Sequence, residues 1–496
     1  MPEATTRSRP QDGARPRARR AIGAVPAPLR ALLGAVLLLG LAWALLVPPF
    51  QAPDEPAHVG YVQSLVEGPG LPGDARRPIF STEQFAAETA ANSDQTAANL
   101  SNRPEWSAFA WRRWQRRDAT SVRALARSDG GGPNPAASNP PLFYLYDAVP
   151  YALAHGGDFF TRFTLMRLAT MLWLLGTVAG AWLLAGEVFA RDRLLQLVAA
   201  GVAGLLPMVT FVSAQVGPDG QLYALWTLAL WLGVRLLKRG ATPGGAAALL
   251  GVTGLAIVTK ATSYALLPAA LLALAIGLWR LRGERGRAVR SAGAGLAALL
   301  APTLAWVLTA RLLNHAVAAQ VSQGAHGGGT NIRQFLSYLW QYYLPRLPFL
   351  QPAHGPGLPA FHIWIEQGTA AFGWLEVRFP HSIYVVAAGL VAAIGLAALA
   401  RIVATRGRVD LDVAAFLLLA AGALLTGLHW TDFHSATPFM QGRYIFPLVS
   451  IGGLAAALAL TWLRGTARQL GAGAALGLLF LLQLLSLGLV ATRFYA

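Results

Sequence analysis

Apolar runs of about twenty residues, separated by short polar or Pro/Gly-rich breaks, recur along almost the whole chain. A run of that length matches the hydrocarbon thickness of a bilayer, so each one predicts a membrane-spanning helix. The runs fall at Leu29–Val47 and near 163–189, 194–213, 221–237, 244–259, 263–280, 291–312, 382–403, 411–429, 443–463 and 470–490, which makes eleven. If the chain crosses at every run, the breaks "ARDR" (190–193), "KRG" (238–240), "RLRGERGRAVR" (280–290), "RGR" (406–408) and "RGTAR" (464–468) share one side. All are basic, and that bias predicts the cytoplasmic side. "AQVGPDGQ" (214–221), Asn314–His381 and "HWTDFHSATPFMQGR" (429–443) then lie outside. "NPPLFYLYDAVPYALAH" (139–155) either lies on the membrane or crosses it, which sets the expected range at 10–13 spans.

Between the runs, residues 1–28 are rich in Arg, Pro and Ala and predict a disordered basic cytoplasmic tail. Residues 29–496 form a single transmembrane domain, with a first external loop at 48–160 and a second at 314–381. Within the first loop, Val59, Val62, Leu65 and Val66 recur at helical spacing, and Trp alternates with Arg in "EWSAFAWRRWQRRD" (105–118). Both patterns predict amphipathic helices on the outer surface. The fold expected is therefore an all-α polytopic membrane protein.

Composition narrows the function. Hydrophobic residues make up 55% of the 496 positions and charged residues only 13%. The formal charge of +17 sits in the short loops, as membrane topology demands, and does not build a groove for nucleic acid. There is no cysteine, hence no disulfide, thiolate nucleophile or Cys-bound metal. No phosphate-binding G-x-x-x-x-G-K-[ST] motif is present. "GAGAALG" (471–477) lies inside an apolar run and reads as helix packing; "DLD" (410–412) reads as a helix cap. His429, Asp432 and His434 in "HWTDFH" read as loop polarity before they read as metal ligands, so no metal or cofactor is assigned and a divalent cation is left open.

Several polar residues stand where a membrane protein gains nothing from them. Lys260 and Arg443 are cations at the outer ends of runs, against the charge bias, and Arg suits phosphate as a bidentate fork. "PPFQAPDEPAH" (48–58) puts Asp54, Glu55 and His58 just where the first run surfaces. Asp54 reads equally as an N-cap and as a catalytic carboxylate. Asp219 in "GPDG" reads first as turn and cap chemistry; Gln441 and Tyr444 flank Arg443. One reaction uses all of them. A lipid-phosphate-linked sugar, its phosphate held by Lys260 and Arg443, needs no general acid, only a base for the acceptor hydroxyl, which Asp54 supplies with Glu55.

Taken in order, "PDEPAH", "NPPLFYLY", "LPMVTFVSAQVGPDG" (206–220), "TKATSY" (259–264), "FGWLEVRFP" (372–380) and "QGRY" (441–444) resemble a bacterial family known as domain of unknown function 2142. The Asp-Glu pair after the first span, with "PPL-aromatic" later, resembles the GT-C class of membrane glycosyltransferases. The resemblance implies a GT-C-like fold and a polyprenyl-phosphate-sugar donor. The expectation is an inverting hexosyl- or pentosyltransferase in the bacterial plasma membrane, active on its external face, with a cell-envelope glycan, lipid or protein as acceptor. Catalysis is expected from Asp54 and Glu55, and substrate binding from His58, Lys260, Arg443, Gln441, Tyr444 and Asp219. Two rivals remain. A lipid-linked polysaccharide polymerase or ligase would use arginine and histidine (His362, His381, His429), and a transporter or flippase would show polar residues deep in several spans and an internal repeat.

Overall fold

Helix α1 (Ala27–Leu46) shows how the bundle is built. Leu29, Leu32, Val36, Leu39 and Trp43 recur every three or four residues and are buried, while Leu38 and Leu45 on the opposite side are exposed. A helix apolar all round, with one face against protein and the other bare, is what lipid surroundings select. The computed structural model describes residues 25–120, 125–190, 192–313, 331–354, 357–405, 410–435 and 439–496. Most of the expected tail and residues 314–330 of the second loop lie outside the described residues.

After α1 come α2 (Glu55–Glu67), α3 (Thr82–Ala90), α4 (Ala108–Thr120) and α5 (Leu142–Leu153). Helices α6 (Phe159–Thr170) and α7 (Leu172–Val188) together make one span, capped by Asp158, whose carboxylate accepts from Thr161 N at 2.6 Å. Helices α8 (Arg193–Leu205) and α9 (Pro207–Ser213) meet at a 58° bend, where Pro207 cannot continue the hydrogen-bond ladder. Next are α10 (Asp219–Arg239), enclosed on nearly every side, α11 (Pro243–Ile257), α12 (Leu267–Arg280), α13 (Arg285–Leu312) and α14 (Ile332–Tyr343). A two-stranded antiparallel hairpin, β1 (Ala371–Phe372) with β2 (Val377–Arg378), precedes α15 (His381–Ala404), α16 (Leu411–His434), α17 (Val449–Ala459) and α18 (Gly465–Tyr495).

Ion pairs sort the helix ends into two faces. Asp192–Arg468 at 2.5 Å, Glu187–Arg239 at 2.5 Å and Arg280–Asp412 join the basic breaks at one end of the bundle. Asp54, Asp219, Lys260 and Arg443 meet at the other. Among the described residues, the basic breaks read as sharing one side therefore do share one end of the bundle. Among the described residues nine helices are long and apolar enough to cross a membrane, or ten with the α8–α9 pair as one span. The remaining expected span, 244–259, is α11, a helix of only 15 residues.

Two local expectations are corrected, for α2 and for "HWTDFH", and the alternative left open at 139–155 is narrowed. Helix α2 is not a surface helix: Ala57 to Ser64 are all buried under α5 and their other neighbours. Helix α5 has 12 residues, too short to span, and leaves Leu145, Val149 and Leu153 exposed on one side. "HWTDFH" is not a loop but the last turns of α16, which runs on to His434.

Candidate active site

The turn from Pro48 to Asp54 holds two non-glycine residues with positive φ, Phe50 at 64° and Asp54 at 65°. That conformation is costly away from glycine and marks a backbone held by its surroundings. Trp374, in the loop of the β-hairpin, holds it by donating its indole N–H to the Phe50 carbonyl at 3.0 Å. The consequence is that two adjacent acids point in different directions.

Glu55 turns inward. Its carboxylate takes both arms of the Arg167 guanidinium at 2.8 and 2.7 Å and accepts from Phe50 N and Val216 N, each at 3.1 Å. Arg167 also donates to the carbonyls of Ala44, Val47 and Pro48, the unpaired end of α1. With every lone-pair direction used and no exposure, Glu55 fastens the turn to α1 and α6.

Asp54 turns outward. It occupies the N-cap position of α2, but its side chain makes no cap bond; it is bonded to Arg443 instead and is 39% exposed. Arg443 also lies 3.6 Å from Asp219, and Asp219 accepts from Lys260 Nζ at 2.6 Å. Acid and base alternate as Asp54, Arg443, Asp219, Lys260, so the two cations expected to hold a phosphate are each paired with a carboxylate. Asp219 is part of this chain rather than a helix cap; α10 shows no side-chain cap. The Tyr444 ring lies under both cations, 5.0 Å from Lys260 Nζ and 5.5 Å from Arg443 Cζ.

His58, one turn into α2, bonds Tyr144 Oη through Nδ1 at 2.9 Å, and that hydroxyl accepts from Asn139 Nδ2 at 3.0 Å. Burial depresses His58 to about 4, so it is neutral near pH 7. Burial pushes the Asp54 carboxyl up, but the Arg443 guanidinium, with His58 and Lys260 beyond it, outweighs this and holds it below its ordinary value. Gly442 N donates to Gln367 Oε1 at 2.9 Å, fixing the start of the 3-10 helix Gly442–Leu448 that carries Arg443. Gln441 Oε1 and both amide atoms of Gln215 are buried without a partner.

Two spaces adjoin the cluster. A small one of about 20 Å³ lies between His58, Gln215, Asp219 and Arg443. A groove of about 750 Å³ runs between α16 and the chain just after Lys260, lined by Ala261, Tyr264, Pro268, Leu418 and Leu424. The other sequence candidates lie elsewhere. His429 is engaged by the Tyr343 and Tyr338 hydroxyls at 2.7 and 3.2 Å, and His362 and His381 gather around Glu366. Asp410 caps α16, as read from the sequence. Among the described residues no group of three or more His, Asp or Glu could hold a metal ion.

Arg167, Tyr144, Asn139, Gln215 and Gln367 had not been singled out. The signal for Arg167 was present: an arginine in "TLMRLAT", inside an apolar run, needs a buried partner. All six ordered motifs converge here, through Asp54, Tyr144, Asp219, Lys260, Trp374 and Arg443.

This architecture is that of a multi-pass helical membrane protein of the GT-C-like kind, with a polar cluster at one end of its bundle. The chain belongs to the family described as "Predicted membrane protein (DUF2142)", whose profile matches residues 37–451. No curated protein matches it in sequence. Among solved structures it is similar to the arabinosyltransferase EmbB from Mycobacterium smegmatis, at 13% identity and a TM-score of 0.52, over 98% of this chain and 43% of that one. It is also similar to ArnT from Cupriavidus metallidurans bound to undecaprenyl phosphate, at 17% identity and a TM-score of 0.45, over 89% of this chain and 62% of that one. A third is the archaeal oligosaccharyltransferase AglB from Archaeoglobus fulgidus with an inhibitory peptide and a dolichol-phosphate, at 10% identity and a TM-score of 0.45, over 94% and 56%. At these identities the likeness is one of fold, and the arabinosyltransferase carries it. The chain spans 43–62% of the length of these structures.

Proposed function

We propose that the protein is an inverting glycosyltransferase of the bacterial plasma membrane that moves a sugar from a polyprenyl phosphate to an acceptor on the external face. The observation that carries this reading is the position of Asp54. It is the one exposed acid of the ion cluster, it is held below its ordinary pKa beside Arg443, and the apolar groove begins at Ala261, the residue after Lys260 of the same cluster. The groove takes the polyprenyl chain, and Arg443 and Lys260 take the phosphate. A phosphate arriving at Arg443 competes with Asp54, because both want the same guanidinium; binding the donor releases the base.

The acceptor hydroxyl then attacks the anomeric carbon from the face opposite the phosphate. The new C–O bond forms as the bond to the phosphate oxygen breaks, Asp54 takes the hydroxyl proton, and the polyprenyl phosphate leaves with its charge matched by Arg443 and Lys260. Glu55 holds the turn that aims Asp54, and Asp219 orients both cations.

The test is transfer in proteoliposomes supplied with radiolabelled undecaprenyl-phosphate sugars and an envelope extract as acceptor. Asp54→Asn is expected to slow transfer by 10²–10⁴, the ordinary contribution of a general base. Undiminished transfer by that variant would remove the mechanism.

A further inference from the structure

We propose that the acceptor is a neutral glycan, held in a second cavity of about 790 Å³ on the same face as Asp54. This rests on the glycosyltransferase reading above and names its acceptor class. The cavity is lined by the rings of Tyr338, Tyr342 and Phe349, with Ser337, Gln351 and His354 among them. A sugar ring presents C–H faces that suit aromatic rings and a rim of hydroxyls that suits amides and hydroxyls. Tyr342, only 1% exposed, presents its ring to the cavity and keeps its hydroxyl buried behind it.

The wall is built rather than incidental. Gln341 donates to the Gln351 carbonyl at 2.8 Å and accepts from Ala353 N at 3.0 Å, and His354 reaches the Tyr338 carbonyl at 3.2 Å. Formal charge in the lining is one arginine, Arg333, against one acid, Asp432, so the cavity selects neither a polyanion nor a polycation. An acyl or prenyl chain here would strand the polar groups, whereas the neighbouring groove is mainly apolar, with Thr262, Thr426 and Thr431 as its hydroxyl-bearing threonines.

The two spaces share a partition. Phe439 lines the apolar groove and the next residue, Met440, lines the polar cavity, so the chain here runs between them. Met440 is three residues from Arg443, which bounds their separation at about 11 Å. A glycan end leaving the cavity past Met440 arrives at Asp54 and the donor phosphate from the side away from the lipid.

The test reads binding without donor or turnover. Saturation-transfer NMR on the full chain in nanodiscs would use neutral manno-, malto- and arabino-pentaoses, with a Gly/Ser/Ala decapeptide as the competing acceptor class. At least one pentaose is expected to bind, three- to tenfold more weakly in Gln351→Ala, as loss of one hydrogen bond dictates. Ser337→Trp should abolish it. No pentaose binding, binding indifferent to both Gln351→Ala and Ser337→Trp, or preferential binding of the decapeptide would overturn the proposal. Any of these removes the glycan site and leaves the transferase reading, whose test is turnover in the Asp54 variant, standing on its own.

Discussion

The guanidinium of Arg443 is bonded to the carboxylate of Asp54, 389 residues earlier in the chain. If that bond is a latch that the donor phosphate opens, removing the acid has two opposite effects. Asp54→Asn is expected to bind undecaprenyl phosphate at least as tightly as the native protein while its turnover collapses. Calorimetric titration beside the transfer assay checks both; weaker lipid binding in the variant would show that Asp54 is not a competitor.

Glu55 and Asp54 are neighbours with separable roles. Glu55→Gln leaves Arg167 buried without a counter-charge, and breaking a buried pair from one side costs about 3–5 kcal/mol. Thermal unfolding in detergent should therefore fall steeply for Glu55→Gln and hardly at all for Asp54→Asn. Replacing both partners, Glu55→Gln with Arg167→Met, should recover part of the loss, because no lone charge remains.

Cation substitutions should act on the donor. Losing one charge-assisted bond to phosphate costs about 1.5–3 kcal/mol, or about 10- to 100-fold in donor KM. Lys260→Met is expected in that range. Arg443→Lys should fall there too, because an ammonium cannot face Asp54, Asp219 and a phosphate in the planar geometry of the fork.

His58 sets an acid limit. Its value drops from 6.5 to about 4 on folding. Between those values the unfolded chain binds a proton there and the folded protein does not, so stability rises with pH across that window and is lost as pH falls through it. A shift of that size is worth about 3 kcal/mol. His58→Gln should flatten the melting temperature between pH 4 and 6.5 relative to the native protein; an unchanged slope would place the acid sensitivity elsewhere.

Gly442 is a packing constraint on Arg443. A Cβ there would sit 2.6 Å from the Ile363 carbonyl oxygen and 2.7 Å from Gln367 Cβ. Backbone cannot yield as a side-chain tip does, so Gly442→Ala should displace the 3-10 helix that begins there. The expected readout is donor KM rising by an amount comparable to Lys260→Met.

Much of the fold was legible in one dimension. A span is a run of apolar residues whose length the bilayer imposes, and Leu29–Val47, 382–403 and 470–490 each contain that requirement locally. The basic breaks likewise marked helix ends that share one end of the bundle. Legibility failed where a segment's surroundings were other protein instead of lipid. Val59, Val62, Leu65 and Val66 gave α2 a helical stripe, but the stripe could not reveal that α5 would cover its other side as well.

The candidate site divides along the same line. That acids and cations at the ends of spans need a reason is a property of the sequence, because water-seeking groups at that depth are costly wherever the rest of the chain lies. Which acid serves which purpose is a property of the tertiary structure. Asp54 and Glu55 are adjacent and chemically alike; a positive φ at Asp54 sends one to Arg443 and the other to Arg167, and those partners are brought in by helices hundreds of residues apart. Long-range pairing, not residue type, decides between them.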